Sequence, residues 1–550
     1  MIVLSGLYIL DALNKKYSVE MPMSGGTYTE GIVGYARFIN PVLAFSDADK
    51  DLITLIYSGL LKASPEGKLV SDLAESWNVS EDGLTYTVTL KPNLVFHDNS
   101  PLTTDDIEFT IEKMRDQNIK SPKADIWNGV KVEKVNEREI KFILKKSYAP
   151  FLENLTFGVL PKHVWKDIEP QAFDVHILNR EPIGSGPYKI KKVDVDTSGI
   201  YQSYRLESFE KYALKTPYID QVIITFFKNE ADALSAYKSG NIDAIGGISP
   251  EAATELKEDG YTVTATSLPR VFALFLNQSS APVLTNKEVR KALNESVDRN
   301  HLINEVLKGW GSPEQGPIPE DLYNEPILSD ASAATAQQAQ RIQDTQKQLL
   351  DKGWKLGADN VLVKETKSGK KTETVRLSFS ISTSNIPELK KTAEILKDTW
   401  TKLGADVTVQ IFEPSDLTQK VIRPRKYDSL LFGNVIGRDL DLYPFWHSSE
   451  RNDPGLNIAL YTNIKADKAL DTLRTASDES KRKEAFDVFN AEVANDIPAI
   501  FLYSPGYIYA TSDSVKNIQL QNMTSISERF MNIDKWYIHT ERIWKIFVQN

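Results

Sequence analysis

Between Leu69 and Arg115 the polarity of the chain changes period, and each change marks an element. Leu84, Tyr86, Val88 and Leu90 alternate with Thr85, Thr87 and Thr89, the period of two that a half-buried strand produces. Ser80-Glu81-Asp82-Gly83 ahead of them is turn chemistry. Lys91-Pro92-Asn93 interrupts the ladder because proline has no N–H to donate, after which Leu94 and Phe96 predict a second strand and His97 to Pro101 an exposed loop. Thr103 with Asp106 predicts a capping box, in which the hydroxyl accepts a bond from an orphan N–H and the acid sits at the positive helix end. The helix runs to about Arg115, with Ile107, Ile111 and Met114 on the stripe that packs on the strands.

The same reading extends along the chain. Asn14 to Gly26 is polar and glycine-terminated, a linker pattern. Asp49 to Leu61 predicts a helix with Leu52, Leu55, Ile56 and Leu60 on its stripe. Val130 to Leu144 predicts two short strands about Asn136, Ala149 to Leu160 a helix-like run, and Ala231 to Ile245 a helix stopped at Gly240 and followed by a strand. Val271 to Asn277 is apolar on both faces, as a strand between two layers must be. Thr285 with Glu288 predicts one cap and Asp298 another, and Ser332 to Leu350 reads as a helix rich in alanine and glutamine. Pro387 opens a helix with Leu389, Ala393, Leu396, Trp400 and Leu403 on one stripe, ended by Gly404, and Val407, Val409 and Ile411 alternate after it. Helix followed by strand is the unit of an α/β lobe.

The stretch DLAESWNVSEDGLTYTVTLKPNLVFHDNSPLTTDDI resembles the signature of the family 5 extracellular solute-binding proteins, the peptide, oligopeptide and nickel receptors of ABC importers. PIGSGPYK at 182–189, ADALSAYKSGNIDAI at 231–245, VRKALNESVDRNHLINEVLKG at 289–309 and IPAIFLY at 497–503 are similar to further stretches of that family. The resemblance implies an α/β, two-lobed periplasmic-binding-protein-like fold of the class II type, with mixed sheets and an extra subdomain on lobe one. It implies these boundaries: an apolar segment and linker at 1–23, lobe one at 24–66, the accessory subdomain at 67–183, lobe one again at 184–277, lobe two at 278–502 and a return to lobe one at 503–550. Two crossings, near 277 and 503, then join the lobes as the hinge of a Venus flytrap.

Composition narrows the function classes. At 550 residues the chain exceeds one core, and 41% hydrophobic with 25% charged residues is globular. A net charge of −10 argues against a nucleic-acid partner. Zero cysteines excludes disulfides, thiolate metal sites, a cysteine nucleophile and a lipidated N-terminal cysteine. Ile2 to Leu10 is about half the ~20 apolar residues of a spanning helix, and reads either as the tail of a longer anchor or as a docking segment. The six histidines form no close zinc pair, there is no G-x-S-x-G elbow, and Gly184-Ser185-Gly186 lacks phosphate-loop spacing and reads as a tight turn. No cofactor is expected.

The resemblance implies capture without catalysis: a monomer outside the cytoplasm takes a peptide or similar small solute into the cleft and delivers it to a permease with cytoplasmic ATPases. A hydrolase using two cleft carboxylates and an orphan scaffold or chaperone are the rival classes. It also implies the ligand set, namely Phe38 in the loop after the first strand, Asn277, Phe432, Asn434, Asp439, Asp441, Trp446 and Tyr503. In peptide-binding relatives the strand and loop matching Leu431 to Asn463 carry a tryptophan and, three residues on, an aspartate for the ligand's ammonium. Matching the D-x-D on Asp439 and Asp441 puts Gly433 and Ile436 at those places, both departures, with Asp439 the substitute anchor if the loop is shifted. Tyr443, Phe445, Trp446 and His447 either stack on a ligand or pack the loop on its lobe.

Overall fold

The computed structural model describes residues 16–319, 334–368, 371–476 and 478–547. The apolar Ile2 to Leu10 lies outside them, as does the start of the helix expected from Ser332, which is described as Ala334–Asp351.

One mixed sheet runs through both lobes. In lobe two its order is Asp406–Phe412, Ser378–Ser384, Ser429–Val435, Arg270–Leu276, and then the long strand Ala499–Thr511. That last strand continues into lobe one beside Ala244–Gly246, Thr27–Val33, Gln221–Phe227, Tyr201–Ser208 and Tyr188–Val195. Val263–Ser267 and Gly311–Pro313 pair with it as well.

The crossings follow from this pairing. Arg270–Leu276 pairs with Ser429–Val435 on one side and with Ala499 to Tyr503 on the other, so it is a lobe-two strand. The chain passes between lobes at Leu268-Pro269, before this strand and not after it near 277 as the sequence suggested. The second crossing, Ser504-Pro505, lies alongside, where the pairing partner of Ala499–Thr511 changes. Two-sided burial marks a strand between layers, and it does not tell to which lobe that strand belongs. Here Phe272, Leu274 and Leu276 pack into one core of lobe two, and Val271, Ala273 and Phe275 into another.

The organising stretch folds largely as its periodicity predicts. Thr85–Leu90 is a strand, and Thr103 and Asp106 form the reciprocal capping box of helix Thr104–Arg115. Leu94 and Phe96 are buried but make no strand, since only an isolated bridge joins Val95 to Pro101. Ala74–Val79, Thr85–Leu90, Glu139–Ile143 and Lys131–Lys134 form a four-stranded sheet, yet their apolar face shares one hydrophobic core with lobe one.

Other differences have local causes. The first long helix is Asp47–Ile56, opened by a capping box at Ser46 and closed where Tyr57 turns extended, so Leu61 starts a strand. Ala149–Thr156 is a 3₁₀ run, and Thr285 does not cap its helix because its hydroxyl donates to the Pro282 carbonyl instead. Asp298 caps Arg299–Leu307, and Pro387–Leu403 ends at Gly404 with φ 103°, both as expected. Part of the expected linker is ordered, with Ser18–Met23 paired antiparallel to His539–Trp544. Gly184 is required by close approach, since a Cβ there would lie 2.0 Å from the Ile56 carbonyl oxygen.

Lobe one is tied by a buried ion cluster. Arg529 donates from Nη1 and Nη2 to the two Asp51 oxygens at 2.7 Å each, and from Nε to Glu30 at 2.7 Å, all three residues being buried. The Tyr28 and Tyr509 hydroxyls donate to the same Glu30 carboxylate. Removing the cation leaves two buried carboxylates uncompensated. Arg529→Met is therefore expected to cost about 3–5 kcal/mol, read as a lowered urea midpoint at unchanged slope.

Candidate functional site

Strand direction locates the cleft. Ala244–Gly246 runs antiparallel to the outgoing half of Ala499–Thr511, hence toward the crossings, and Thr27–Val33 runs parallel to it. In lobe two Ser429–Val435 is antiparallel to Arg270–Leu276 and so also ends at the crossings, as does Ser378–Ser384 beside it. The carboxyl ends of the parallel strands of both lobes thus face one crevice, the place where open α/β sheets bind ligands. Val33 and Val435, the last residues of their strands, are exposed there.

The loop after Val435 carries lobe two onto lobe one and its accessory part. Arg438, its side chain only 8% exposed, donates to Glu528 at 2.6 Å and to the Asn522 carbonyl at 2.9 Å, and lies 3.7 Å from Glu153. Thr524 aims Glu528 by donating to both of its carboxylate oxygens. Beside it, Arg474 donates to Asp441 at 2.9 Å and lies over the rings of Tyr443 and Tyr148. The Tyr148 hydroxyl donates long bonds to Asp441 at 3.4 Å and Asp439 at 3.5 Å. Ser147 adds a bond to the Thr475 carbonyl.

Burial raises the pKa of Asp439, and burial followed by the charges of Asp439 and Asp441 raises that of Tyr148. Glu153 is pushed up to about 7, first by burial, with Arg438 opposing and Asp439 and Glu528 adding to the rise.

The residues expected to bind ligand are distributed unevenly. Asp439 and Asp441 meet at this interlobe contact, where both already hold protein partners. Phe432 packs on the core that contains Trp446, and Asn434 is buried on the same strand. Trp446 is 1% exposed among Phe275, Tyr461, Phe489 and Phe501, so it packs its loop and does not face the crevice. Tyr503 is buried with its hydroxyl on Thr392. Phe38 is half-buried in the lobe-one loop, where the Arg37 and Phe38 amides donate to Asp49. Asn277 sits at the far end of its strand from the crossings, its side-chain oxygen accepting from Ser279 and Ser280 and its amide bonded to the Arg425 carbonyl.

Apolar packing occupies both departures. A Cβ on Gly433 would lie 2.9 Å from the ring of Phe272, which stands opposite on the neighbouring strand and stacks on Tyr503. Ile436 is a buried core residue and sends no polar group to the crevice. Among the described residues no group of three or more His, Asp or Glu is placed to hold a metal ion, and no helix is long and apolar enough to cross a membrane.

Comparison with known proteins places the chain. The profile of the bacterial extracellular solute-binding proteins, family 5 (middle), matches residues 68–454. The chain belongs to this family. A curated relative, the oligopeptide-binding protein AppA of Bacillus subtilis, is 27% identical over 543 residues, covering 95% of this chain and 93% of that protein. The structure of that AppA in complex with a nonapeptide superposes with a TM-score of 0.68 at 25% identity, covering 94% and 100% of the two chains. NikZ of Campylobacter jejuni in complex with Ni(L-His) gives 0.70 at 25% identity, covering 93% and 99%. These neighbours share the two-lobed fold.

Glu153 carries a pH prediction. In the folded chain it holds its proton up to about pH 7, against 4.5 for an ordinary glutamate. The folded state therefore binds more protons than the unfolded chain between those values, so stability falls as pH rises from about 4.5 through about 7. The urea midpoint should be higher at about pH 5 than at about pH 8, and Glu153→Gln should reduce the difference.

Proposed function

We propose that this family 5 protein is the receptor of an ABC importer, acting outside the cytoplasm by capturing a peptide or similar small solute and passing it to a membrane permease with cytoplasmic ATPases. The observation that carries this reading is the crevice at the carboxyl ends of the strands of both lobes, bounded by two adjacent crossings, in a chain alignable over nearly its whole length with an oligopeptide-binding relative. The receptor works by capture and performs no reaction. Ligand favours closure only as far as it binds the closed form better than the open one. The compaction of the flytrap, read by scattering with and without an oligopeptide mixture, tests the motion, and identical curves with proven bound peptide would overturn it.

A non-peptide solute is the second reading, favoured by Gly433 and Ile436 and by the likeness to a protein solved with Ni(L-His).

Within the peptide reading, the ammonium has no aspartate at Ile436, and Asp439 is held by Tyr148 and by the Asp441 amide. Free and N-acetylated forms of one peptide are expected to bind within about threefold of each other by calorimetry, and Asp439→Asn should leave the ratio unchanged. A tenfold preference for the free amine, ~1.4 kcal/mol, that disappears in the mutant would make Asp439 the anchor.

A further inference from the structure

A cavity of ≈ 280 Å³ opens in lobe one between the helix Asp47–Ile56, the segment around Phe157 and the C-terminal run 525–534. Glu153 and Glu528 line it, so it ends at the residues that Arg438 of lobe two touches.

Its lining sets Lys50, Lys62 and Lys123 against Asp72, Glu153, Glu528 and Asp534, but the pairing among them is uneven. Asp534 is paired with Lys62 at 3.2 Å, Asp72 accepts from Tyr212, and Glu528 holds Arg438. Lys123 lines the same cavity and, among the described residues, its ammonium has no hydrogen-bond or ion-pair partner. Burial, and then the charge of Lys50, lowers its pKa to about 8. Lys50 lines the cavity as well, with only a 3.6 Å contact to the exposed Asp47. The Tyr57 hydroxyl, buried and also lining the cavity, has no hydrogen-bond partner. The position of Lys123 is fixed by its neighbour, since the buried Ser121 hydroxyl donates to the Val42 carbonyl at 2.6 Å and accepts the Lys123 amide at 3.2 Å.

Four carboxylates line the cavity, yet none lies within ion-pair distance of the half-buried Lys123 or the exposed Lys50, and the Tyr57 phenol beside them is unmatched. An ammonium held out of water without a partner is costly. We propose that this cavity is a carboxylate subsite, in which Lys123 and Lys50 pair with a carboxylate of the captured solute and the Tyr57 hydroxyl donates a third bond to it. The proposal deepens the solute-capture reading by naming one group that the solute presents. A singly charged anion is favoured over phosphate because Glu153 and Glu528 stand on the same cavity wall and would repel a second negative charge.

The test uses the whole chain and propionate, a probe with no peptide character. Acylation of lysines by an N-hydroxysuccinimide ester at about pH 8, read residue by residue by mass spectrometry, reports the free Lys123 amine. A weak site with a dissociation constant of ~10 mM gives a protection of about threefold at about 20 mM propionate. That slowing is expected at Lys123 with none at the exposed Lys308, and Lys50→Gln or the milder Tyr57→Phe should reduce it. Equal Lys123 rates with and without propionate would overturn the subsite, and protection by inorganic phosphate equal to that by propionate would overturn the carboxylate assignment. Neither result depends on peptide binding, so failure here leaves the capture reading standing, and a failure of peptides to bind leaves this site standing.

Discussion

The contact of Arg529 with Asp51 and Glu30 is what lets the two ends of the chain make one lobe. Glu30 belongs to the first strand of the main sheet and Asp51 to the first long helix, whereas Arg529 comes from a 3₁₀ turn 499 and 478 residues later. A guanidinium is suited to this place because its planar fork binds a carboxylate on two edges while its remaining N–H reaches another. Burial opposes the charge of Arg529, but Asp51 and Glu30 more than offset it and hold its pKa well above the usual range. Burial outweighs Arg529 at Asp51 and raises its pKa, so the cluster carries excess negative charge that Tyr28 and Tyr509 help to disperse. Such a cluster adds little net stability over a well-packed apolar core, but it penalises every arrangement in which the C-terminal turn misses its partners.

That closure sets the geometry of the hinge. Because the strand Ala499–Thr511 must deliver the chain from lobe two to the region that holds Arg529, it spans both lobes, and the crossing at Pro505 lies directly against the one at Pro269. Prolines there leave few ladder bonds to break when the lobes rotate, since neither nitrogen can donate. The Ser504 hydroxyl reaches the Leu268 carbonyl at 3.4 Å and Gly506 donates to the Trp310 carbonyl, so the two crossings and the strand Gly311–Pro313 are bonded to one another. The crevice on that joint is lined by strand ends and loops, which carry function without disturbing the sheet.

Legibility from sequence followed the range of the forces involved. Capping at Thr103 and Asp298, the alternation of Thr85–Leu90 and the stop at Gly404 are decided within a few residues, and periodicity finds them. The family resemblance supplied the two lobes, which periodicity could not. The site was harder because its contacts are long-range. Tyr148 and Asp439 are 291 residues apart, and nothing in the polarity near either marks the other. Arg438 stands between Gly437 and Asp439 in the loop that sequence had singled out, yet its role depends on Glu528, 90 residues away. Trp446 was misleading for the opposite reason: an aromatic in a polar loop reads as a binding group until its four aromatic neighbours are known.

The interlobe contacts also bound how strongly closure can be built into the protein itself. Moving a two-state equilibrium from mostly open to mostly closed takes ~5.5 kcal/mol of differential binding, and whatever the protein supplies in advance is no longer available to discriminate solutes. Arg438 loses much of its hydration on closure while gaining Glu528 and the Asn522 carbonyl, so its two contributions oppose one another. Lobe two brings Glu153 both Arg438 at 3.7 Å, which favours its charge, and Asp439, which opposes it, so these contributions also offset one another. The contact therefore fixes the register in which lobe two meets lobe one more than it drives the meeting. Net closure is left to whatever solute fills the space between the carboxyl ends of the strands.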